Sequence, residues 1–250
     1  RVRSYPVVER HRFVWLWMGD PALADPALVP DMHWNDDPAW AGDGKTIYAK
    51  CDWRLVVDNL MDLTHETYVH GSSIGNDAVA ESPFDVTHGD RTVTVTRWMQ
   101  GIEPPPFWAA QLGKPGLVDR WQIIRFEAPG TVTIDVGVAP AGSGAPDGDR
   151  SQGVNGRVLN TITPETETTC MYFWSLVRNY RLRDQSLTTQ LREANARIFL
   201  EDQAVVEAQQ REIDARGEGM LRNLNIDAGS MRARRIIEAM VTAEEEQPRE

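Results

Sequence analysis

Residues 184–214 read "DQSLTTQLREANARIFLEDQAVVEAQQREID". The stretch has neither Gly nor Pro, and Leu187, Leu191, Ala194, Ile198, Ala204 and Val205 recur near one stripe at a helical period. A single long helix is therefore expected from Asp184 onward. The chain before it reads differently. Alternating, β-branched and aromatic segments at 120–127, 131–139, 157–163 and 168–178 predict strands. Residues 84–100, "FDVTHGDRTVTVTRWMQ", predict two strands joined by an "HGDR" turn. "PPPF" at 104–107 interrupts the pattern, and 141–156 reads as a flexible hairpin connection. Strands followed by a long helix imply an α+β arrangement, one antiparallel sheet covered by helices.

Toward the ends, residues 7–17 predict a strand and 19–45, dense in turn residues, a loop. A second helix is expected at 228–243, and "EEEQPRE" at 244–250 as a frayed tail. No internal repeat or clear domain linker interrupts the chain. The 250 residues are 41% hydrophobic and 25% charged, an ordinary globular composition. The net charge of −11 argues against nucleic acid and anionic membranes as partners. No apolar run is long enough to span a bilayer, and no secretory signal stands at the start. With only Cys51 and Cys170, a disulfide framework is not expected, which points to the cytoplasm.

The chemistry concentrates in "DNLMDLTHETYVH", residues 58–70, which holds His65 and His70 among three acids. It follows "TIYAKCDWRLVV", which begins as a strand and turns helical, with Leu55, Asn59, Asp62 and Glu66 at helical spacing. Two histidines five apart diverge by about 140° on a regular helix. They can share a metal only if the helix ends or bulges there, and Gly71-Ser72-Ser73 supplies an ending. A third ligand must come from elsewhere, and the acid pair Glu201-Asp202 on the long helix is a candidate. Two histidines and one carboxylate with open positions form the facial triad of non-haem Fe(II) oxygenases. Other signals are weaker. Ser72-Ser73 lack a GxSxG elbow, and "GSGAPDGDR" lacks the Lys of a phosphate loop. Arg97, Arg125 and Arg178 lie in predicted strands, where an Arg either pairs with a structural acid or grips an anion.

"NLMDLTHETYVHGSSIG" (59–75) is similar to the oxygenase components of Rieske non-haem iron aromatic-ring enzymes, in their O-demethylase branch. "SYPVVER", "GDPALADPALVP", "PPFW", "DRWQIIRF", "ITPETETT", "FWSLVRNY", "LEDQAVVEAQQ" and "LNIDAGSMRARR" extend the likeness along nearly the whole chain. The resemblance implies a helix-grip, START-like catalytic domain: a curved antiparallel sheet around a long C-terminal helix. It implies Fe(II) bound by His65, His70 and Asp202. It makes Asp62 the acid that bridges to the Rieske cluster of a neighbouring subunit, and Asn59 a polar residue close to iron. The implied activity is O2-dependent demethylation of a methoxybenzoate, vanillate foremost, through a hemiacetal that yields formaldehyde and a phenol. The substrate carboxylate then needs charge-assisted donors, for which Arg125 and Arg178 are candidates, while Phe107 and Trp108 wall the ring.

The resemblance also implies a [2Fe–2S] Rieske cluster in the full-length protein, a flavin and iron–sulfur reductase, and a homotrimer. The Cys-x-His and Cys-x-x-His frame of that cluster is absent here. Residues 1–18 are therefore expected to be the trailing strand of a Rieske domain, 19–243 the mononuclear iron domain and 244–250 a tail. Two alternatives stay open: action on another aromatic acid or ether, and a non-catalytic START-like ligand-binding module.

Overall fold

Seven strands pair antiparallel in one sheet of order β3-β9-β8-β7-β6-β5-β4. They are β3 (Ala41–Ala49), β4 (Phe84–His88), β5 (Thr92–Ile102), β6 (Val118–Glu127), β7 (Thr131–Pro140), β8 (Val154–Thr166) and β9 (Thr169–Arg178). This computed structural model describes residues 3–217, 222 and 224–246. One face of the sheet carries the helices. Alternation along the strands sends Ile124, Phe126, Val132, Ile134, Val136, Val158, Trp174 and Leu176 into a single core with them. The long helix α5 (Gln185–Arg216) begins where Asp184 accepts a hydrogen bond from the Leu187 amide. Its Phe199 packs edge-on against Tyr172 and Trp174, with ring centroids 5.4 and 5.1 Å away.

Helix α1 (Trp53–Met61) buries Leu55, Val56, Val57, Leu60 and Met61. It is tied to α5, where Gln210 accepts from the Asp52 amide at 2.8 Å. It is tied to the last helix, α6 (Ala228–Glu245), by an Asp58–Arg234 ion pair at 2.6 Å. Gly229 lets α6 close on β5, since a Cβ there would stand 2.5 Å from Val95 Cγ2. No helix among the described residues is long and apolar enough to cross a membrane.

The structure corrects several local expectations. Residues 7–17 form a hairpin, β1 (Val7–Arg10) and β2 (Phe13–Leu16), because His11 and Arg12 take φ of 58° and 62° and reverse the chain. Strand β3 starts at Ala41, inside the expected loop. Its Gly42 and Gly44 answer close approach rather than a turn, since Cβ atoms would lie 2.0 and 1.9 Å from backbone oxygens of β9. "PPPF" opens a helix, α4 (Pro106–Leu112), with Pro at its first position. The 141–153 connection is pinned rather than free: Ala145 is fully buried, and Arg150 pairs with Asp135 at 2.8 Å. Helix α6 runs through Glu245, into the expected tail at 244–250; residues 247–250 lie outside the described residues.

Candidate metal centre

Asp62 decides where the histidines stand. Helix α1 stops at Met61 because Asp62 takes an extended conformation, φ −105° and ψ 98°. Its side chain then accepts from the Thr64 amide at 2.8 Å and starts a new turn, Leu63–His65, that leads into α2 (Glu66–Val69). That one-turn helix ends at His70, whose φ of −115° and ψ of 23° leave the helical region. The amides of Ser73 and Gly75 both close on the His70 carbonyl at 3.0 Å. Only glycine fits at 75, because a Cβ would lie 1.9 Å from the Glu66 oxygen. The helix ending that the spacing required is therefore present, together with a break before His65 that the sequence did not reveal. The two rings end 5.2 Å apart, nearly perpendicular.

Helix α5 brings the carboxylate. His65, His70 and Asp202 each offer a ligand atom, and these atoms lie within 4.8 Å of one another. Asp202 Oδ1 meets the Nε2 atoms of His70 at 2.9 Å and of His65 at 3.2 Å, and accepts from Asn59 Nδ2 at 3.2 Å. The outward nitrogens are held as well. His70 Nδ1 bonds Glu201 Oε2 at 2.6 Å, and His65 Nδ1 bonds the main-chain carbonyl of Asp62. Glu201 and Asp202 thus play different parts, one behind the ring and one in front of it.

The electrostatics favour positive charge at this point. Burial works against a charged His65, but the hydrogen bond and charge of Asp202 override it and lift its pKa to about 9. His70 rises for the same reasons. Burial opposes ionisation of Asp202 too, and its bonds to both imidazoles still bring it down to about 2. Two imidazole nitrogens and one carboxylate oxygen converging on one point, each steadied from behind, are a donor set that fits a divalent first-row metal with open positions.

A cavity of about 650 Å³, counting its open mouth, adjoins the three ligand residues. Phe107 and Trp108 of α4 line it, with Ile134, Val136, Val158 and Leu176 from the sheet and Ile198 and Phe199 from α5. Trp108 lies against Gly156, where a Cβ would be 3.6 Å from its ring. The two arginines expected to grip the substrate are elsewhere. Arg125 is exposed, on the opposite face of β6 from the cavity. The strand period puts Arg120, Gln122 and Ile124 inside and leaves Arg125 outside. Arg178 is buried but anchors the start of α5, donating to Thr188 Oγ1 at 2.9 Å and to the Asp184 and Arg181 carbonyls at 3.0 Å.

Sequence reasoning missed the cluster that does line the cavity. Glu66 is buried and accepts from Arg120 Nη2 at 2.9 Å and from Gln122 Nε2 at 3.0 and 2.9 Å. The alternation of "RWQIIRFE" could have indicated Arg120 and Gln122, but both faces of that strand carry large apolar residues. The Asp62 carboxylate caps Thr64 rather than bonding His65, and lines a second, smaller pocket with Arg97, Phe84 and Gln122.

The model of the vanillate O-demethylase oxygenase C-terminal domain matches residues 49–243 of this chain. The chain belongs to the vanillate O-demethylase oxygenase family. A vanillate O-demethylase oxygenase subunit from a Pseudomonas species is 50% identical over 249 residues, which are 97% of this chain and 75% of that subunit. Dicamba monooxygenase bound to 3,6-dichlorosalicylic acid superposes with a TM-score of 0.90 at 35% identity, covering 98% of this chain and 72% of that one. Its structure with non-haem iron and dicamba gives 0.80 at 33% identity, covering 97% and 70%. As a member of this Rieske-type oxygenase family the chain is an oxidoreductase with the family's catalytic fold. All three candidate ligands fall within the matched residues.

Proposed function

We propose that the chain is the oxygen-activating domain of an O-demethylase whose substrate is a methoxybenzoate, vanillate foremost. The observation that carries this reading is the convergence of His65, His70 and Asp202 beside an aromatic-walled cavity. Similarity to named vanillate O-demethylase oxygenase subunits supports the substrate class. An Fe(II) ion held by these three residues would supply the redox chemistry by which O2 and two electrons hydroxylate the methoxy carbon. The product is a hemiacetal, which collapses to formaldehyde and a phenol, protocatechuate from vanillate.

The protein's own contribution is positioning and exclusion of water. Phe107 and Trp108, perpendicular at 5.1 Å between centroids, offer an aromatic corner for the ring. Asn59 steadies Asp202, Glu201 steadies His70, and the Asp62 carbonyl steadies His65. A Rieske [2Fe–2S] centre fed by a flavin and iron–sulfur reductase would supply the electrons. Cys51 and Cys170 are free and buried, and two cysteines without the Rieske spacing do not make that frame. In a trimer, Asp62 would be the residue that links this site to a neighbouring subunit's cluster. The test combines the full-length protein with its reductase, O2 and vanillate, and measures formaldehyde and protocatechuate. Equimolar release is expected. Oxygen uptake without formaldehyde, or a ring-hydroxylated product, would overturn the assignment.

A further inference from the structure

Most polar groups around the cavity are engaged. Asn59 Nδ2 donates to Asp202, and both oxygens of Glu66 are taken by Gln122, one of them also by Arg120. Asn195 is among those that are not. Its side chain lines the cavity from α5, and its Nδ2 is buried with no hydrogen-bond partner among the described residues. Buried donors are almost always paired, so one kept unpaired beside a cavity points to a partner that arrives with the ligand.

The helix fixes how far that partner lies from the metal centre. Asn195 and Asp202 are both on the buried face of α5, two turns apart, which is about 10 Å along the axis. Ile198 and Phe199 fill the wall between them. A benzoate with its methoxy carbon at the metal end and its carboxylate at the other has that length once room for the ion is counted. Arg120 is the rival donor, since its Nε and Nη1 also lack partners among the described residues. Its charge is already met by Glu66 at 2.9 Å.

The geometry points to Asn195 as the specificity-determining contact of the cavity: its amide donates to the substrate carboxylate at the end remote from the metal centre. This rests on the demethylase reading above. The test uses the full-length oxygenase with its reductase, on vanillate and on guaiacol, the same ring without the carboxylate. Kinetics are paired with calorimetric binding of both rings. Asn195→Ala is expected to raise KM and Kd for vanillate about tenfold, leave kcat within about twofold, and leave guaiacol unchanged. Asn195→Asp is expected to lose vanillate by at least about 100-fold and to gain vanillylamine, whose ammonium stands where the carboxylate was. Equal effects of Asn195→Ala on vanillate and guaiacol would overturn the assignment. So would a carboxylate-selective loss in Arg120→Met with none in the Asn195 variants. If the wild type releases no formaldehyde from any methoxybenzoate, the demethylase reading fails, and the calorimetric comparison decides the Asn195 contact alone.

Discussion

Replacing Glu66 with Ala should destabilise the protein more than any surface change, because it breaks a buried ion pair from one side. The Arg120 side chain is 1% exposed and that of Glu66 7%. Arg120 already has two nitrogens without partners among the described residues, and burial pulls its pKa down. Removing the carboxylate takes from the guanidinium its ion-pair partner and from Gln122 Nε2 the oxygens that accept from it. Breaking a buried pair in this way costs about 3–5 kcal/mol. In a chain of this size each kcal/mol shifts Tm by roughly 2–4 °C, so a fall of about 6–20 °C is expected. Removing both charges should behave differently: Glu66→Leu with Arg120→Met is expected to lie within about 2 kcal/mol of wild type. Urea unfolding followed by circular dichroism, with calorimetry for Tm, measures all three proteins. A loss below about 1 kcal/mol in Glu66→Ala, or a double variant no more stable than the single, would refute the reasoning.

Two further predictions concern the residues behind the histidines. Asp62→Asn keeps a good cap for Thr64 and leaves the main-chain carbonyl on His65, so folding and iron content should hold while turnover in the full-length enzyme falls by orders of magnitude; near wild-type demethylation would reduce Asp62 to a structural cap. Glu201→Ala removes the acceptor at His70 Nδ1 and should weaken metal affinity about 10–100-fold, read by competition with a chelator. An unchanged affinity would show that Glu201 does not orient the ring.

The sheet and the two long helices were legible because each strand and helix repeats its apolar period over many residues. The hairpin at His11-Arg12 was not, since neither residue is a usual left-handed turn former. Strand β3 was hidden by Gly42 and Gly44, which signal a turn in sequence and close backbone approach in space. On α5 the expected stripe includes Ala204 and Val205, which are exposed, whereas Phe199, Asp202 and Val206 are buried. The acid that makes the site is what broke the pattern there. The same holds at the cavity: Glu66, Arg120 and Gln122 occupy inward positions where periodicity expects apolar side chains, while Arg125, the candidate the pattern offers, lies on the outer face. The histidine pair was legible as a motif, but the main-chain hold on His65 follows from the conformation of Asp62, which no side-chain pattern encodes.

The central claim is that His65, His70 and Asp202 together hold one metal ion. Iron content after anaerobic Fe(II) loading and desalting, measured on wild type and on His65→Ala, His70→Ala and Asp202→Ala, tests it most directly. The account predicts about one iron per chain in the wild type and about a tenth of that or less in each variant, with folding checked by circular dichroism. Any of the three variants retaining iron at the wild-type level would contradict it.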